Sequence, residues 1–267
     1  MSIDLWDIET LPPETKKYLV EGDDLLAKFC AEEIAIESSR PTGRVFWQRP
    51  ANKFAQSKAE LEADIGYMIS GESIRCFHYA RMTDEEIDLI GKRGIVLSSA
   101  PFLKERLDGL VAAQHINRVQ ADQIYAASPL MTGELYGRRD GLFWTCAIPQ
   151  PVSDSGVERL LRIWGGEVAS WTLVDAGASF GLAGIGKPRI LEIEIPISTA
   201  MEGRAAGTIG AWLVARRMVD LGLSDYQSGI DVYTDIALPP DALLTVHTEG
   251  DENFMAMANG YPSSYSN

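Results

Sequence analysis

The spacing of apolar positions along the chain changes character near residue 70. Before that point it reads mostly as helix. Pro12 and Pro13 open a segment in which Leu19, Leu25, Leu26, Phe29, Ile34 and Ile36 stand among many acids. The stretch RPTGRVFWQRPAN interrupts it with Pro41, Gly43 and Pro50 and leaves room for a short strand at Val45–Trp47. A further helix, SKAELEADIGYMIS, is expected to stop near Gly66 or shortly after it.

From Ile74 the period shortens. Ile74–Ala80 alternates as a strand, with Ile74, Cys76, His78 and Ala80 on one side and Phe77 and Tyr79 on the other. A helix over Met82–Arg93 follows, started by a capping box of Thr83 and Glu86 with Met82 able to staple onto Ile87. Lys92 and Arg93 suit its negative end, and Gly94 supplies the left-handed stop. IVLSS (95–99) predicts a second strand, and Leu103, Leu107, Leu110 and Val111 predict helix across 102–127. Further strands are expected in GLFWTCAIP (141–149), VASWTLVDA (168–176) and RILEIEIPI (189–197), where Glu192 and Glu194 share one face. Helices are expected from Ser155 to Gly165–Gly166 and over 205–221, the latter stopped by Gly222. IDVYTDIALPPDALLTV reads as a strand, a Pro–Pro corner and a last extended piece. Strand-rich segments with inserted helices, rather than regular βαβ alternation, imply an α+β fold. The organisation is a helical N-terminal region (1–70), a strand-rich domain (71–250) and a loose tail (251–267).

Composition narrows the function classes. Net charge is −14, which works against general attraction to nucleic acid or anionic lipid, although the middle third is close to neutral. No apolar run reaches the ~18–20 residues of a membrane span, and the acidic opening MSIDLWDIETLPPET is unlike a secretory leader. Cys30, Cys76 and Cys146 form no CxxC pair, which fits a reducing cytoplasm. His78, His115 and His247 are scattered without metal-ligand spacing.

Two glycine-rich motifs overlap. Gly181 to Lys187 has the form GxxxxGK, but Pro188 stands where Ser or Thr would hold magnesium, and a strand follows where phosphate binding needs a helix. Gly177-x-Ser179-x-Gly181 has the form of a nucleophile elbow, with Asp225, Asp231 or Asp235 and then His247 in hydrolase order. Gly181, Gly184, Gly186 and Pro188 oppose the helix that such an elbow requires. A serine hydrolase using Ser179 and His247 is therefore a secondary expectation. By its own spacing, His78 reads as a buried neutral histidine with both nitrogens satisfied.

The order of later features changes that reading. The stretch CFHYARMTDEEIDLIGKRGIVLSS resembles the first strand, helix and second strand of ADP-ribosyltransferases of the diphtheria-toxin and poly(ADP-ribose) polymerase type. The resemblance spans roughly 73–248 and implies a split mixed or antiparallel sheet with inserted helices. It places His78 on a ribose hydroxyl of NAD, with Tyr79 and Arg81 beside it on the cofactor strand. RRDGLFWTC is similar to the family's aromatic strand, so Phe143 or Trp144 would pack on nicotinamide where the family has Tyr. The resemblance maps the catalytic acid onto Asp231, where the family has Glu, with Glu167 of IWGGE as a rival. Arg81 or the Arg138–Arg139 turn would lie near the pyrophosphate. NAD is implied as substrate, with an unidentified acceptor, no membrane partner, a toxin or defence role, and room for an inhibitory partner protein. A non-catalytic NAD-binding protein of the same fold is the other reading left open.

Overall fold

The computed structural model describes residues 2–42, 47–132, 139–169, 181–202, 209–225 and 229–257. Val45 and Phe46 of the strand expected at Val45–Trp47, most of the one over 168–176, Ser179, Arg138, the start of the 205–221 helix and the tail beyond 257 lie outside them, and Trp47 itself is not in a strand.

The first elements are β1 (Ser2–Ile3), α1 (Pro13–Glu21), α2 (Asp23–Ser38) and α3 (Ala55–Met68). Then come β2 (Ser73–Met82), α4 (Asp84–Arg93), α5 (Ala100–Ala112), α6 (Arg118–Ala127), α7 (Pro129–Thr132) and β3 (Phe143–Cys146). The remainder comprises α8 (Ser155–Arg162), β4 (Lys187–Pro196), β5 (Met201–Glu202), α9 (Ile209–Asp220), β6 (Asp231–Thr234), β7 (Leu243–Thr248) and α10 (Glu252–Met257). The fold is α+β. Six strands form an antiparallel sheet in the order β5-β6-β3-β2-β4-β7, and β1 adds to β2 in parallel.

The centre of the sheet is β2. It pairs with β4 along its whole length, from Ser73↔Pro196 to Met82↔Lys187. Toward β3 it has one registered pair, Phe77↔Cys146. Beyond that pair the two strands part, and Arg81 bridges instead to Trp164. The sheet is therefore split beside His78.

The capping box on α4 forms in full, with Thr83 Oγ1 accepting from Glu86 N–H and Glu86 accepting from Thr83 N–H. Gly94 ends the helix at φ +80 against the Leu238 carbonyl, and Gly222 closes α9 at φ +67.

Several expectations are corrected. IVLSS is no strand: Ile95 makes an isolated bridge to Leu238, and Ser98 bonds to 141–142. The helix expected over 102–127 is two helices. Gln114 at φ +61 turns the chain, and Asn117 with Gln120 forms a second capping box that starts α6. Residues 166–169 are helical, where the 168–176 strand was expected to begin. The α3 helix ends at Met68, shortly after Gly66 as expected, and Gly66 itself has another use. It lies where α3 crosses α9, and a Cβ on Gly210 would sit 2.1 Å from the Glu62 carbonyl oxygen, so the crossing uses glycine for close backbone approach. The supposed tail contributes α10, which buries Phe254 and Met257.

The main core is continuous from the N-terminal helices (Leu19, Leu26, Leu61, Ile65) through the sheet to Trp212 and Leu213 of α9, so residues 1–70 share it. A second cluster, around Leu103, Leu107, Ile124 and Trp164, lies under α5 and α6.

Candidate functional site

At the split, the ring of His78 reaches the backbone of β3. Its Nδ1 lies 2.8 Å from the Trp144 carbonyl oxygen. A carbonyl only accepts, so Nδ1 carries the hydrogen and donates, and neutral His78 presents Nε2 as a lone-pair acceptor. Nε2 has no partner among the described residues. Burial holds the imidazole below its ordinary pKa of 6.5; the Trp144 carbonyl pulls weakly upward and the Arg106 charge lowers it further. The Phe143 ring stands 4.7 Å from the His78 ring, tilted by 32°. A neutral hydrogen-bond acceptor beside an aromatic face suits a ligand that offers both a hydroxyl and a flat ring.

Directly opposed residues in an antiparallel ladder share a face. Phe143↔Thr234 and Trp144↔Tyr233 therefore put Phe143 and Trp144 on different faces, and Cys146↔Asp231 puts Asp231 on the face of Trp144. Trp144 stacks on Tyr233 at 4.4 Å, and the Arg139 guanidinium lies 4.7 Å over Trp144. Arg139 is ion-paired with Glu167. The Cys146 thiol donates toward Asp231 Oδ1 at 3.7 Å, and burial raises its pKa. Burial also raises the pKa of Asp231. The Cys146 bond and Arg139 act against this, and Asp154 and Glu167 add to it.

The expected site residues thus divide. His78 and Phe143 come together; Trp144, Asp231 and Glu167 gather on the other face. Tyr79 is buried on that face too, its hydroxyl accepting from Gln150 N–H at 2.7 Å. Arg81 donates from Nε to the Ile185 carbonyl at 2.9 Å, so its guanidinium is engaged with backbone. His247, the hydrolase candidate, bonds Glu192 at 2.7 Å, and Glu192 in turn pairs with Arg75 at 3.0 Å.

A crevice of about 20 Å³ runs between Ser98, Ser99, Phe102, Arg106, Leu130 and Val168. Ser98 accepts from Gly141 N–H at 2.7 Å and donates to the Leu142 carbonyl at 3.1 Å, which fixes the crevice beside the start of β3, where Phe143 meets His78. A broad open groove of about 470 Å³ at the α5–α6 turn lies away from these residues, lined by His115, Asn117 and Arg118.

Arg106 was not foreseen. Its Nε donates to Glu86 Oε1 at 2.7 Å, and its plane lies 4.5 Å over Trp164. Glu86 Oε2 accepts from Thr83 N–H at 2.8 Å and from Trp164 Nε1 at 2.9 Å. Desolvation raises the pKa of Glu86, but Arg106 and the other donors outweigh it and hold the carboxyl below 4.5, ionised. The capping box located Glu86, but helix spacing gives no sign that Arg106, twenty residues on, turns back to it.

Among the described residues no group of three His, Cys, Asp or Glu could hold a metal ion, and no helix is long and apolar enough to cross a membrane. Comparison with protein-family models, curated proteins and solved structures finds no match.

Proposed function

We propose that this is an NAD-binding domain of the ADP-ribosyltransferase type, with His78 and Phe143 as its ligand-holding pair. The observation that carries the reading is the fixed tautomer of His78, whose Nε2 is left to accept from a ribose hydroxyl beside an aromatic face. The crevice has room for about one water, so the dinucleotide lies along its mouth. In the transfer, the nicotinamide–ribose C–N bond breaks with its electron pair leaving on nicotinamide. The acceptor's nucleophile then bonds the ribose carbon and gives up its proton. Holding the ribose and placing a carboxylate near the developing cation is positioning and electrostatics, with no metal required.

Glu167 shares the Trp144 face with Asp231, but its chain neighbour Val168 lines the crevice, and on that ground the acid's role is assigned to Glu167. A second reading, ligand binding without turnover, is favoured by the pairing of Glu167 with Arg139 on the side of Trp144.

Calorimetric titration with NAD, alongside nicotinamide release, tests both. Wild type is expected to bind, His78→Ala and Phe143→Ala to weaken binding at least tenfold, and Glu167→Gln to stop release while leaving binding intact. Binding with no release in wild type selects the second reading. Absence of NAD binding overturns both.

A further inference from the structure

Arg106 divides its guanidinium in a particular way. The Nε edge is taken by Glu86, the guanidinium carbon lies 4.5 Å over the Trp164 ring, and the Phe102 ring centre is 6.0 Å away. Nη1 and Nη2 have no partner among the described residues, although the side chain is only 14% exposed. Five guanidinium hydrogens in a rigid fork match two oxygens of one anionic group, and a fork already held in place loses little freedom on binding. The crevice supplies further donors. Ser99 Oγ accepts from Phe102 N–H at 3.3 Å, and its own hydrogen has no acceptor among the described residues. Ser98 lines the same wall. The ionised Glu86 offsets the charge of Arg106, so the pair sits without net charge until an anion arrives.

We propose that Arg106 is the phosphate-binding group of this crevice, gripping the diphosphate of a nucleotide whose ribose hydroxyl meets His78, with Glu86 as the residue that positions it. This rests on the nucleotide reading above and replaces Arg81 and Arg139, which are committed elsewhere. A cation present only to neutralise Glu86 would not discriminate between ligands with and without phosphate; a binding fork would.

The test is calorimetry with ADP-ribose and adenosine on the full chain. Wild type is expected to bind ADP-ribose at least tenfold tighter than adenosine, and inorganic pyrophosphate to compete with ADP-ribose. Arg106→Gln should lower ADP-ribose affinity about 10- to 100-fold and leave adenosine unchanged. Arg106→Lys, which keeps charge and loses the fork, should fall between the two, and Glu86→Gln should narrow the preference through a loosened Arg106. If Arg106→Gln does not fold, Arg106→Lys and pyrophosphate competition in wild type decide. Full ADP-ribose preference in the Arg106 variants, or equal affinity for both ligands in wild type, overturns this inference and leaves the nucleotide reading standing. No binding of either ligand by wild type overturns that reading itself.

Discussion

On one face of the sheet, Arg75 pairs with Asp4 and with Glu192, and Glu192 bonds His247. Around the split, His78 and Arg106 each give part of their bonding capacity to the protein and leave the rest outward. Both groups hold a histidine, an arginine and a glutamate. The first set is closed on itself: Asp4, Glu192 and His247 are buried, and Arg75 lies over Trp6 at 5.4 Å. It ties β1, β2, β4 and β7 together. The second set ties α4 to α5 and leaves an acceptor nitrogen and a fork without a partner among the described residues. Buried polar groups are normally satisfied, so unused capacity in a held geometry is what separates a binding site from a structural network.

The largest effect is expected from opening the closed set. Arg75→Ala leaves Asp4 and Glu192 buried without their cation and should cost about 3 kcal/mol, lowering Tm by roughly 6–12 °C in a melt at pH 7. A loss below 1 kcal/mol would show the network to be dispensable.

The next test is acid titration. Desolvation raises the pKa of Glu192, but its bonds to His247 and Arg75 outweigh this and hold it below the ordinary 4.5. A carboxylate depressed on folding stabilises fully above its unfolded pKa, and the contribution fades as pH falls through the folded value. Stability should therefore drop below about pH 4.5, less steeply in Glu192→Gln than in wild type. Parallel Tm–pH curves would contradict this.

In the open set, His78→Ala removes one bond to a carbonyl and should cost only about 1 kcal/mol of stability while weakening NAD binding at least tenfold. A stability loss as large as that of Arg75→Ala would erase the contrast between the two sets.

The smallest effect belongs to Asp231. Its pKa is raised on folding, chiefly by burial, so the folded state holds its proton more tightly than the unfolded chain. The resulting penalty appears as pH rises above 3.8. Asp231→Asn should melt slightly higher than wild type at pH 7 and equally at pH 3. A lower Tm at pH 7 would mean that the carboxylate is needed in its ionised form.

Local chemistry made some elements legible. Thr83 and Glu86 start α4 as their spacing requires, because a capping box closes within four residues. The same signal at Asn117 and Gln120 was present, yet the apolar run from Leu103 to Val111 concealed the break before it. The helix end shortly after Gly66 was legible, but that Gly66 also serves a helix crossing with Gly210, 144 positions away, was not. IVLSS has strand composition, but its neighbours take single bonds from it in place of a ladder.

The candidate site was half legible. Alternation along one strand separates Phe143 from Trp144, yet it cannot say which of them His78 faces. That depends on the β2–β3 register, which a single pair sets. By itself the sequence determined the α+β character, the caps, and the place of His78 within a strand. Tertiary structure alone decided that His78 spends Nδ1 on Trp144 and keeps Nε2, that Asp231 lies across the sheet, and that Arg106 reaches Glu86. Capping and alternation act within a few residues, whereas register, face and ion pairing are set by contacts between distant segments.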